Sequence, residues 1–99
     1  DLAIVGVTAL GFADDTAVSG YRFRLVLASV APVPLVAEEA QEILAGGPIT
    51  QNRIAEAARA AEAAASPIDD TRGSARYRKL MVRSLVEKAV AGVWQQLEK

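Results

Sequence analysis

The residues best able to do chemistry in this sequence stand together in one stretch, Ser66-Pro67-Ile68-Asp69-Asp70-Thr71-Arg72-Gly73-Ser74-Ala75-Arg76-Tyr77-Arg78. Pro67 ends whatever precedes it, because the residue before a proline is pushed out of helical geometry. Asp69, Asp70 and Ser74 can each accept hydrogen bonds from the free N–H groups of a helix start, and acids there suit the positive end of the helix dipole. The chemistry this implies is first that of a helix cap. Arg78 falls by helical phase on the apolar face of the helix that follows. A buried guanidinium needs a partner, and Asp69 or Asp70 is the nearest in sequence. That reads as an ion pair pinning the turn to the helix; the other reading is a contact to a cofactor or a neighbouring subunit.

Absent residues narrow the remaining chemistry. The sequence holds no cysteine and no histidine, which removes disulfides, thiol catalysis, iron–sulfur ligation and a Ser-His-Asp triad within these residues. Gly46-Gly47 and the isolated Gly6, Gly11 and Gly20 form no phosphate-cradling motif, and strand glycines more often mark bulges or close approach. Asp14-Asp15 and Glu38-Glu39 read as turn and helix-start chemistry, so no metal site is expected. Arg72, Arg76, Lys79 and Arg83 share one helical side and would suit phosphates. With 11 basic and 12 acidic residues the net charge is −1, so the stripe reads as a solvated face and nucleic acid is not expected as a partner. Trp94 and Leu80 fall on this same side. They are candidate partner contacts, with packing against the chain's own loops as the equal alternative.

These groups must be positioned by a chain of 99 residues, 52% of them apolar, enough for one modest core and too apolar for disorder. Residues 2–13 read as a strand with Leu2, Ile4, Leu10 and Phe12 on one side and Ala3, Val5, Val7 and Ala9 on the other, so cover is expected on both faces over part of its length. Asp14-Asp15-Thr16 is a turn. Residues 18–30 read as the return strand, with Tyr21, Phe23, Leu25 and Leu27 opposed to Arg22, Arg24 and Val26. A lone hairpin is marginal, so a third strand is expected, from 33–36 or from residues before Asp1. Residues 36–45 read as a helix ended by Gly46-Gly47. Thr50 is the expected N-cap of a second helix to about Ala65, with Ile54, Ala57, Ala58, Ala61 and Ala65 inward and Arg53, Glu56, Arg59 and Glu62 in water.

A third helix should span Ser74 to Leu97, about 36 Å at the usual helical rise. Tyr77, Met81, Val82, Leu85, Val86, Ala89 and Val93 form its apolar face. The expected fold is α+β: a small antiparallel sheet of two to three strands packed on a three-helix layer, one domain over residues 1–99. No run reaches the roughly 20 apolar residues of a membrane span and no basic-then-apolar leader is present. A first residue of Asp1 reads as a fragment or a processed product, and the missing cysteine suits a cytoplasmic protein.

The order Asp70, Arg72, Ser74, Tyr77-Arg78 resembles the signature of one family, the C-terminal domain of the FAD-binding (medium) subunit of molybdenum hydroxylases, the carbon monoxide dehydrogenase and xanthine dehydrogenase group. Leu2-Ala3-Ile4-Val5-Gly6-Val7 is similar to that domain's opening strand, Val30-Ala31-Pro32-Val33-Pro34 to its second-strand exit, and Glu39 to Gly46 to its first helix. The family often has alanine where Gly73 stands and an acid where Arg76 stands, and loss of that acid weakens a capping box. The resemblance implies a parent oxidoreductase in which electrons pass from iron–sulfur clusters to FAD, a flavoprotein whose glycine-rich FAD loops lie in upstream domains. It implies partners in those domains and in the iron–sulfur and molybdopterin subunits. Under it this segment binds no cofactor and does no catalysis, and Asp70, Arg72, Ser74, Tyr77 and Arg78 are architectural. The alternative is a small α+β protein–protein interaction module unrelated to redox chemistry.

Overall fold

Two alternating segments pair as an antiparallel hairpin, β1 (Gly6–Ala13) with β2 (Tyr21–Ala28), and β3 (Leu35–Val36) adds antiparallel to the other side of β2. The computed structural model describes residues 6–28, 35–65 and 74–98, the side chains of 74–79 excepted. The third strand thus comes from the 33–36 segment, one of the two sources expected. Register sets the faces: Val7, Ala9 and Gly11 stand opposite Leu27, Leu25 and Phe23, while Thr8, Leu10 and Phe12 stand opposite Val26, Arg24 and Arg22. The first set faces the core, where Phe23, Leu25 and Leu27 are buried. Each such side chain stabilises the fold by about 1.5–3 kcal/mol.

The return strand begins at Tyr21 rather than at 18, because the connection is longer than an Asp-Asp-Thr turn. Asp14 Oδ1 accepts from the Thr16 N–H at 2.9 Å and from the Thr16 hydroxyl at 2.7 Å. Ala17 N–H donates to the Asp14 carbonyl, Gly20 N–H to the Ala17 carbonyl, and Asp14 N–H closes the loop on the Gly20 carbonyl. Gly20 has φ +84°, a left-handed conformation that costs glycine little.

Three helices cover the inner face: α1 (Glu38–Ala45), α2 (Gln51–Ala64) and α3 (Ser74–Glu98). α1 packs on β2, α3 packs on β1, and α2 touches both α1 and α3. Thr50 caps α2 as expected, its hydroxyl accepting from the Arg53 N–H at 3.1 Å. Ile54, Ala57, Ala58, Ala61 and Ala65 are all buried. Their methyl groups let α2 approach its neighbours closely while contributing little area each. On α3 the fully buried row is Val82, Val86 and Val90. Val90 lies outside the expected face, which widens because α3 packs against two neighbours, α2 and β1, instead of one.

Two expectations about exposure need correction. Arg53 is half-buried: its Nε donates to the Pro48 carbonyl at 2.9 Å and Nη1 to the Ile43 carbonyl at 3.0 Å. It serves as a clamp on the last turn of α1, where the Ile43 carbonyl also accepts from the Gly46 N–H at 3.2 Å. Glu62 is likewise held, by Arg83 of α3 at 3.7 Å. The outer face of β1 also departs from expectation. With all three helices on the inner face, Leu10 is 62% and Phe12 42% exposed, and nothing among the described residues covers them.

Candidate functional site

Strand pleat alone builds the outer sheet face. Leu10 stands beside Arg24, Phe12 beside Arg22, and Val26 beside both Thr8 and Val36. Val36 is 45% exposed. The result is an apolar strip crossed by two guanidinium-bearing side chains. Along one side runs α1, whose Glu38, Gln41 and Glu42 wall a shallow groove with Phe12, Arg22, Arg24 and Val36 in its floor.

The groove is rigidly framed. Arg22 Nε lies 2.6 Å from Asp14 Oδ2, tying the strand to the turn. The Thr16 hydroxyl and N–H, and then Arg22, hold the Asp14 carboxyl below its ordinary value of 3.8 by hydrogen bonding its charged form. Where β3 ends, α1 takes over the edge of β2. Ala37 N–H donates to the Leu25 carbonyl at 2.9 Å, and Gln41 Oε1 accepts from the Leu25 N–H at 2.7 Å. Ser19 N–H donates to the Ala45 carbonyl at 3.0 Å, so the hairpin turn also closes the end of α1. Strand backbone that would otherwise be an open edge is thereby satisfied.

Arg22 and Asp14 neutralise each other, and among the described residues no group of three or more acidic side chains converges as a metal site. A Cβ placed on Gly47 would lie 2.5 Å from the Arg53 guanidinium, whose Nε and Nη1 donate to the Pro48 and Ile43 carbonyls. Among the described residues no helix is long and apolar enough to cross a membrane.

Asp69, Asp70 and Arg72 lie outside the described residues, as does the Val30 to Pro34 segment. Ser74, Tyr77 and Arg78 fall in the first turns of α3, with side chains outside the description. Of the basic stripe, Arg72 and the side chains of Arg76 and Lys79 also lie outside it, whereas Arg83 turns to Glu62. Trp94 is half-buried against the core and meets Tyr21 edge-on, ring centres 5.0 Å apart. Leu80 is 48% exposed on α3. Sequence reasoning placed Leu10 and Phe12 on one side of β1 but did not single them out as a surface. Strand pairing supplies what the sequence lacked: apolar residues on β1 register with the polar side of β2.

The profile of the CO dehydrogenase flavoprotein C-terminal domain family matches residues 1–93. The carbon monoxide dehydrogenase medium chain of Hydrogenophaga pseudoflava is 35% identical over 71 residues, which is 72% of this chain and 25% of that one. The fold is similar to a chain of the solved Hydrogenophaga pseudoflava carbon monoxide dehydrogenase that lacks the Mo-pyranopterin moiety of the molybdenum cofactor. The TM-score is 0.76 at 33% identity, over 92% of this chain and 31% of that one. It is also similar to the cyanide-inactivated form of a Cu,Mo-CO dehydrogenase, with a TM-score of 0.70 at 30% identity over 88% of this chain and 30% of the other. The chain therefore spans under a third of the length of these relatives.

Proposed function

Because this chain belongs to the family of CO dehydrogenase flavoprotein C-terminal domains, we propose that it is one domain of a larger FAD-binding subunit in a cytoplasmic molybdenum hydroxylase. In that role it is a supporting domain that holds the flavin-binding part and meets neighbouring subunits, while electrons pass from iron–sulfur clusters to FAD. The carrying observation is the match over residues 1–93 together with a solved dehydrogenase chain superposing on 92% of this one.

The composition and the site agree with a supporting role. The sequence offers no histidine or cysteine for proton or electron chemistry. Its glycine pair is filled by an arginine that braces α1. FAD on this reading is held by upstream domains and the redox chemistry belongs to the cofactors; this chain supplies rigidity. Asp70, Arg72, Ser74, Tyr77 and Arg78 carry an architectural role, and Leu80, exposed on α3, is a partner contact, whereas Trp94 is used in packing on Tyr21.

The test is the coding sequence ahead of Asp1. The proposal requires a glycine-rich FAD-binding region in the same reading frame. A different type of domain there, or none, refutes it.

A further inference from the structure

Among the described residues the helices leave the outer sheet face without cover, and that face has an addressable occupant. Leu10, Phe12 and Val36 are 62%, 42% and 45% exposed on one face of one sheet. α1 and α3 pack on the other face, and α2 packs on both of them. Apolar surface interleaved with charge is the anatomy of an interface; here Arg24 and Arg22 on the central strand stand beside Leu10 and Phe12, and Glu38 and Glu42 line the groove from α1.

Three observations choose the occupant. The chain accounts for 25% to 31% of the length of its relatives, so most of such a polypeptide lies outside these 99 residues. The matched family is a C-terminal domain, which puts that remainder ahead of β1. β1 is both the edge strand of the sheet and the strand that carries Leu10 and Phe12. From Gly6 to Leu10 is about 14 Å of strand, so whatever enters through β1 is tethered close to the patch. Tethering raises its effective concentration to the millimolar range, about.

Size decides against a second copy. Eight residues of strand and a width of two to three strands give a footprint of roughly 300–400 Å². A stable association of separate chains needs about 800 Å² per partner. A patch this small suffices only for a contact made in cis.

We propose that the outer sheet face is the docking surface for the preceding, flavin-binding part of the same polypeptide, with Leu10 and Phe12 at the centre of the contact. This rests on the family-based reading above and adds to it the face and the residues. Docking there places the hairpin turn and the first turn of α1 at the margin of the contact, and turns the α2 and α3 surfaces away from it.

The experiment is carbene footprinting of the full-length subunit, purified without its other subunits, at two protein concentrations. Labelling of the β1 peptide is compared with the same peptide in the urea-unfolded subunit. A side chain as exposed as Leu10, at 62%, would lose less than about twofold if nothing covered it, whereas a desolvated interface centre loses about tenfold. The proposal expects the tenfold loss at Leu10 and Phe12, equal at both concentrations. A loss no larger than the exposures of 62% and 42% already imply, under about twofold at Leu10 or under about threefold at Phe12, overturns it. So does protection that arises only at the higher concentration, which would mean a second copy, or only after the other subunits are added. A full-length subunit without flavin would count against the family-based reading separately, whatever the footprint shows.

Discussion

Gly11 is the point at which α3 comes down on the sheet, and adding one methyl there tests the packing directly. A Cβ at residue 11 would lie 2.6 Å from Val93 Cγ1, 3.0 Å from Leu97 Cδ1 and 3.3 Å from Phe23 Cε2. Ordinary carbon contacts are about 3.5–4.0 Å, so three neighbours on two elements must move. Phe23 is buried at 2% exposure, and a helical valine has one strongly preferred rotamer, so neither yields by rotation. Overpacking of this kind costs about 1–3 kcal/mol. Relief of glycine's backbone entropy in a strand returns about 0.5–1 kcal/mol. Gly11→Ala should therefore destabilise by about 1–2 kcal/mol, and each kcal/mol lowers Tm by about 4–8 °C in a domain of this size. Urea denaturation followed by circular dichroism measures it. The second arm is Gly11→Ala with Val93→Ala, which makes room for the new methyl. The double variant should be more stable than the summed single effects by about 1 kcal/mol. A neutral or stabilising Gly11→Ala, or strict additivity with Val93→Ala, would refute the close approach.

Arg53→Met should cost about 1–3 kcal/mol by stripping the Ile43 and Pro48 carbonyls of charged donors. Gly47→Ala should destabilise beside Arg53 and become nearly neutral in the Arg53→Met background, a coupling that thermal denaturation of the four proteins reads out. Gln41→Ala should leave the Leu25 N–H without its acceptor and cost about 1–3 kcal/mol; faster amide exchange at Leu25 than at Leu27 is the local signature. For Asp14 the folded carboxyl titrates below 3.8. Its contribution is therefore present above the unfolded value and is lost as pH falls through the lower folded one. Carbon NMR of the carboxyl should show this, and Thr16→Val, which removes the largest cause, should move the titration back up; an unmoved titration would contradict the assignment.

Local patterns were readable from sequence wherever one periodicity met one neighbour. The alternation of Tyr21, Phe23, Leu25 and Leu27 against Arg22, Arg24 and Val26 gave the buried and open faces of β2, and Thr50 announced α2. The sheet-on-helices class followed from those two facts and the valine-rich third helix. Features that depend on what arrives from elsewhere were not readable. Arg53 has the helical phase of a solvent residue, and only the position of the Ile43 and Pro48 carbonyls makes it a clamp. Val90 joins the core because α3 has two neighbours. The turn reaches Gly20 because Asp14 bonds Thr16 rather than starting a two-residue hairpin. The outer patch needed register, since Leu10 and Phe12 look like core until paired with Arg24 and Arg22. The motif from Asp70 to Arg78 was the clearest signal of family, and its side chains lie outside the described residues.

The central claim is that this chain supports a flavin it does not itself hold. The most direct measurement is flavin content, by visible absorption, of the full-length subunit and of the 99-residue chain purified side by side. The account predicts bound flavin in the full-length subunit and none in the 99-residue chain even after incubation with excess FAD. Stoichiometric flavin on the 99-residue chain, or substrate turnover by it, would contradict the account.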